Sequence, residues 1–175
     1  VKAVLGADRL GENLAKPDGW RPYEQGFERD GAAYVCRNGA DAKARRGVAQ
    51  TIVLDQKTPE PIVAIASSKA EGVTGSPGPD YAIYLDLQYQ DGTPLWGQSA
   101  SFDTGTHDWQ ERRVVVVPEK PVKRLAMYLL LRGHGGTAWF REPRLHVLQT
   151  PEGECLFDGV PVRIAARPAE GFQVR

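Results

Sequence analysis

In residues 81–98, YAIYLDLQYQDGTPLWGQ, a phenol, a carboxylate and an amide stand two apart at Tyr84, Asp86 and Gln88. Positions two apart in an extended chain share one side, so the three groups form a row. Tyr81, Ile83, Leu85, Leu87 and Tyr89 form the opposite, apolar row. A second stretch repeats the arrangement. Leu125, Met127, Leu129 and Leu131 face one way, and Ala126, Tyr128, Leu130 and Arg132 the other. Rings with planar donors and acceptors beside them can grip a ligand by stacking and by hydrogen bonds of fixed geometry. The same row can also be a solvated sheet face, where cross-strand pairs contribute about 0.2–1 kcal/mol each.

Two such strands need a sheet to hold them side by side and a second layer to cover their oily faces. Helical periodicity is hard to find, and 19 glycines and 13 prolines punctuate the 175 residues at short intervals. That pattern predicts short strands and turns. Strands are expected near 12–15, 23–28, 32–37, 47–54, 61–69, 81–89, 95–102, 110–117, 122–132 and 137–148. Asp91-Gly92-Thr93-Pro94 reads as a hairpin loop in which Gly92 supplies positive φ. Lys69 and Glu71 are placed in a loop closing one end. The fold class is all-β: a two-sheet antiparallel β-sandwich or jelly roll without long helices. Residues 1–148 form the sandwich, and 149–175, weakly patterned, a tail or a linker to a further domain.

The 22 basic and 22 acidic side chains balance, so net charge points to neither nucleic acid nor an acidic membrane. No apolar run approaches the ~20 residues that span a bilayer. The first residue, Val1, reads as that of a mature form or an excised module. Cys36 and Cys155 have neither metal-ligand nor redox-motif spacing. They are buried thiols or, in a secreted protein, a single disulfide.

The segments WRPYEQGF (20–27), VAQTIVL (48–54), FDTGTHDWQERRVVV (102–116), RLAMYLLLRGHGGTAWF (124–140) and PRLHVL (143–148) follow one another in a familiar order. Over roughly 12–148 the chain resembles the jelly-roll carbohydrate-binding modules of the family 4, 9 and 22 type, within the galactose-binding-like superfold. The resemblance implies a secreted or cell-surface module that binds a polysaccharide or oligosaccharide without cleaving it and serves an attached glycan-active catalytic domain. These modules often carry WFDD before the last strand, where an acid helps hold a structural calcium ion. Here the stretch is WFREP (139–143), so Arg141 replaces the first acid. Glu142 with Glu24 or Asp18 and backbone carbonyls is the remaining candidate set for calcium.

Sugar recognition combines an aromatic ring against the apolar C–H side of a pyranose with polar groups at its hydroxyls. The candidate residues are Tyr84, Tyr128 and Trp96 for stacking, and Asp86, Gln98, Arg132 and His134 for hydrogen bonds. Asp86 and Arg132 are expected near one another. Trp20 is read as a loop aromatic, and Trp109, Trp139 and Phe140 as core. Two other readings stay open. The domain can brace a glycoside hydrolase without sugar affinity. Less favoured is a β-jelly-roll polysaccharide lyase, whose residue types Tyr84, Gln98, Tyr128, Arg132 and His134 match without its local strings. No Gly-x-Ser-x-Gly elbow, zinc-spaced histidine pair or Gly-rich phosphate loop is present.

Overall fold

The computed structural model describes residues 10–148, together with the backbone of Glu154–Phe157 and Val160–Arg163. Ten strands make up the body: β1 (Arg21–Glu24), β2 (Glu28–Asp30), β3 (Ala33–Gly39), β4 (Arg45–Val53), β5 (Ile62–Val73), β6 (Tyr81–Tyr89), β7 (Pro94–Ser101), β8 (Gly105–Val116), β9 (Val122–Arg132) and β10 (Gly136–Val147). One five-stranded sheet has the order β1-β4-β9-β6-β7 and the other β2-β3-β10-β5-β8. Every pairing within them is antiparallel. The all-β sandwich expected from the punctuation is the fold observed.

Alternation places the core. Ile83, Leu85 and Leu87 of β6, Leu125, Met127, Leu129 and Leu131 of β9, and Val48 of β4 are almost wholly buried on the inner side of the first sheet. Ile62, Ala64, Ala66 and Ala70 of β5 and Ala138, Phe140 and Leu145 of β10 meet them from the second. Each large aliphatic side chain so buried contributes about 1.5–3 kcal/mol. Tyr81 joins this interior through its hydroxyl, 2.7 Å from Ser68 Oγ, which in turn donates to the Trp139 carbonyl (2.9 Å). Burial pushes the Tyr81 phenol well above the ordinary tyrosine range. Cys36 is a free buried thiol, pushed up to about 12 by burial. The side chain of Cys155 lies outside the described residues.

Several boundaries differ from the sequence expectation. The strand expected at 23–28 is two, in different sheets, because Glu24 (φ 46°) and Gly26 (φ 75°) turn the chain between them. The segment near 12–15 forms no ladder strand. It is tied to β10 by a Leu10–Leu148 bridge and by the Leu14 amide donating to the Leu145 carbonyl (2.8 Å). Lys69 and Glu71 belong to β5, not to a loop. Trp20 is 5 % exposed and packs against Tyr34, ring centroids 6.1 Å apart, so it is a core ring. Trp109 and Trp139 are the reverse: they are half-buried, on the outer side of the second sheet. In the 149–175 stretch, β11 (Glu154–Phe157) and β12 (Val160–Arg163) pair antiparallel with each other.

Candidate functional site

The outer side of the first sheet is ordered by register. On β6 and β9, Tyr84 faces Tyr128, Asp86 faces Ala126 and Gln88 faces Arg124. Continuing onto β4, Ala49 lies beside Tyr128, Thr51 beside Ala126 and Val53 beside Arg124. The two tyrosines therefore share one layer and one face, with ring centroids 6.1 Å apart and planes at 67°. Tyr23 of β1 adds a third ring, edge-on to Tyr128 at 5.6 Å. The next row, Thr51 and Ala126, is low. The row beyond it, Arg124 and Gln88, stands up again, with Arg124 Nε donating to Gln88 Oε1 (3.0 Å). Rows of one face repeat every ~6.6 Å along a strand, so a low row between two tall ones makes a trough running across the strands.

Trp96 and Asp86 stand at the β7 end of this trough. Between the Leu85–Gln98 and Leu87–Leu95 pairs, β7 spends one residue more than β6. The extra residue is accommodated at Trp96-Gly97, where Gly97 takes φ 73°. A bulge of this kind re-aims the side chain beside it. Trp96 is 63 % exposed. Asp86 Oδ1 accepts the Gly97 amide (3.0 Å), which fixes the carboxylate beside the indole. The hairpin that delivers β7 is held by Asp91, which accepts from Thr93 N (2.9 Å) and from Lys120 Nζ (2.8 Å). The lysine hydrogen bond, then those of Thr93, hold the Asp91 carboxyl below the usual range. Together Thr51, Asp86, Gln88, Trp96, Arg124 and Ala126 line a depression of about 330 Å³. It offers a ring, acceptors at Asp86 and Gln88, and donors at Arg124, over a floor without bulk.

The other residues singled out from the sequence go elsewhere. Asp86 and Arg132 are not neighbours. With Tyr84 opposite Tyr128, Asp86 falls opposite Ala126, six residues along β9 from Arg132, or roughly 20 Å. Arg132 instead donates from Nε to Asp80 Oδ1 (2.5 Å) and from Nη1 to the Tyr23 hydroxyl (3.1 Å), with its guanidinium 5.2 Å from the Tyr84 ring. It props the tyrosines from behind. Burial would lower its pKa, but the bonds to Tyr23 and Asp80 raise it beyond the ordinary arginine value. Gln98 pairs with Leu85, so it sits on the side opposite Tyr84 and donates to the Trp96 carbonyl (3.1 Å). His134 is 7 % exposed, with Nδ1 turned inward to the Thr74 carbonyl. The five residue types that suggested a lyase thus do not converge.

The calcium set fits poorly. Arg45 Nε donates to both oxygens of Glu24, at 2.8 and 2.7 Å, and this bond lowers the Glu24 pKa. Glu142 lies on β10 in the other sheet. Among the described residues no three His, Cys, Asp or Glu side chains cluster as a metal site. A cation would have to displace the guanidinium at one carboxylate and stand beside Arg141 at the other, so no step is assigned to calcium.

Gln88 already stands in the outward row of Tyr84 and Asp86; Arg124, Thr51 and Ala126 are not among the contacts named from the sequence, although alternation contains them. Once Leu125 is inward, Arg124 and Ala126 are outward. What alternation does not supply is the β4–β9–β6 order that brings Thr51 alongside.

No family model matches the chain. Its first sheet and trough belong to a jelly-roll sandwich, the fold of carbohydrate-binding modules. The CBM22-1 xylan-binding domain of Paenibacillus barcinonensis Xyn10C superimposes with a TM-score of 0.50 at 10% identity, over 81% of this chain and 97% of that one. Part of the enzymatically active domain of bacteriophage CBA120 tailspike protein 4 shares the fold (TM-score 0.57, 12% identity, 78% of this chain and 21% of that one). So does part of the arabinose-bound MgGH51 α-L-arabinofuranosidase (TM-score 0.53, 14% identity, 81% and 27%). By sequence, the tRNA nuclease WapA of Bacillus subtilis strain 168 is 31% identical over 127 residues, 70% of this chain. The tRNA3(Ser)-specific nuclease WapA of Bacillus spizizenii is 30% identical over 126. The chain spans 5% of the length of these curated relatives.

Proposed function

We propose that the chain is a noncatalytic glycan-binding module that takes a saccharide in the trough between the Tyr84–Tyr128 row and the Arg124–Gln88 row. The observation that carries this reading is the depression of about 330 Å³ in which an exposed indole, a fixed carboxylate and a guanidinium surround a floor of Thr51 and Ala126. Trp96 stacks on the sugar's C–H face. Asp86 accepts from hydroxyls, and Arg124, oriented by Gln88, donates to them. The fold shared with a xylan-binding domain supports the ligand class. The small share of the long curated relatives supports a module within a longer chain whose catalytic part lies elsewhere. Such a module raises the effective concentration of its attached partner at the polysaccharide.

Affinity electrophoresis against a panel of soluble polysaccharides, followed by calorimetry, tests the proposal. At least one glycan is expected to retard the chain. Burial first, then the Asp86 charge, raises the Tyr128 pKa. This phenol stays protonated below the ordinary tyrosine value of about 10 and gives up its proton only as pH rises through its raised value. Affinity is therefore expected to be flat from about pH 6 to 9. A folded chain that no glycan retards would favour the second reading, in which a neighbouring domain covers Trp96 and the sandwich only braces it.

A further inference from the structure

We propose that the outer side of the second sheet is a separate binding face for a linear polysaccharide bearing scattered carboxylates, with Arg141 and Lys69 as its anion contacts. The proposal does not rest on the first-sheet trough. Trp139 of β10 pairs with Lys69 of β5. Lys69 lies between the Ser68–Gln110 and Ala70–His107 pairs, so Trp109 of β8 falls on its other side. Two half-buried indoles thus flank one lysine across three strands. Strands lie ~4.8 Å apart, so the two tryptophans spring from backbone positions about 10 Å apart, close to the span of a disaccharide.

The charges around them divide into two groups. Arg37 is paired with Glu28 (3.1 Å), and Glu111 is taken by both Arg113 and Arg144 (3.1 Å each). Asp30 accepts from Trp139 Nε1 (3.2 Å). The side chains of Arg141 and Lys69 form no ion pair or hydrogen bond with any described residue. The Arg141 guanidinium lies 4.0 Å over the Trp109 ring, and its Nε is buried without an acceptor. Lys69 Nζ stands 5.1 Å from the Trp139 ring. A guanidinium held flat on an indole keeps its donor fork oriented while leaving it free for a carboxylate. Arg141 faces Ser67 on β5, two residues from Lys69, so both cations are within reach of one ligand. The carboxylates of Glu28, Asp30, Glu71, Glu111 and Glu142 on or beside this face would repel a polymer charged at every unit. They are compatible with one in which most sugars are neutral and stack, and a few carry an acid.

A matched pair of probes tests this: a xylo-oligosaccharide bearing one glucuronate, and the same oligosaccharide without it. In heteronuclear NMR titration of the chain, the acidic probe is expected to shift the indole N–H signals of Trp109 and Trp139. Its affinity is expected to fall about tenfold in Arg141→Gln and Lys69→Gln, a loss of about 1.4 kcal/mol, and to weaken with added salt. Mapping on the unsubstituted chain keeps the test decisive should either variant fold poorly. Equal shifts with both probes, shifts confined to Trp96, or no shift at Trp109 and Trp139 would overturn the proposal. So would an oligouridylate that moves these two signals where the acidic sugar does not.

Discussion

Trp96→Ala is expected to weaken glycan binding by about ten- to a hundredfold, while the free energy of unfolding stays within about 0.5 kcal/mol of the parent. The two effects separate because of where the ring stands. Trp96 is 63 % exposed and lies outside the core clusters. Its position comes from the backbone, through the Trp96-Gly97 irregularity and the Gly97 amide held by Asp86. Removing the ring leaves that backbone in place. What goes is the wall of the depression, and buried aromatic anchors of binding sites typically cost about 2 kcal/mol or more when truncated. Calorimetric titration of the best glycan, alongside urea unfolding, checks both halves. Unchanged affinity would move the site away from the β7 end of the trough. A large loss of stability would mean that Trp96 is a packing residue.

Phe140→Ala is expected to do the opposite. It should lower stability by about 3–5 kcal/mol, the usual range for deleting a buried phenyl ring. Phe140 is 0 % exposed and projects from the second sheet into a cluster with Tyr81 of the first sheet and Phe102 at the β7–β8 connection. Its centroid lies 6.0 Å from each, and Tyr81 and Phe102 are 5.3 Å apart. Three rings from three segments fill the space between the layers, and no neighbouring side chain can swing in without abandoning its own contacts. The urea midpoint should fall with the slope of the transition unchanged, as for loss of packing without loss of the two-state reaction. The glycan affinity of the variant that remains folded should match the parent, because Phe140 does not reach the outer face. A loss below about 1 kcal/mol would show that the interior repacks around the missing ring.

These two residues also mark how far the sequence could be read. Alternation in 81–89 and 125–131 identifies the inner and outer sides of the two central strands, and it puts Tyr84 and Tyr128 on one face once those strands are neighbours. Alternation is a local property, however, and register is not. Nothing in the sequence says that Asp86 meets Ala126 rather than a residue near Arg132, because that depends on how far one strand slides along the other. Trp96 and Gln98 illustrate the same limit within one strand. Two apart, they would share a side in a regular strand, but the additional residue at Gly97 separates them. The histidine of the β9–β10 loop failed for another reason: its ring found an acceptor in the Thr74 carbonyl, and a loop position alone does not say whether a side chain turns out or in. Trp109 and Trp139 look like core by type, since tryptophan is mostly buried, yet their strands put them on the outer side.

The most direct measurement is a crystal structure of the chain with an oligosaccharide of the best-binding glycan. A pyranose ring is expected in the trough above Thr51 and Ala126, its apolar side against Trp96 and its hydroxyls within hydrogen-bond reach of Asp86 and Arg124. A saccharide ordered at the loop tips, with the first sheet's outer side bare, would contradict the site described.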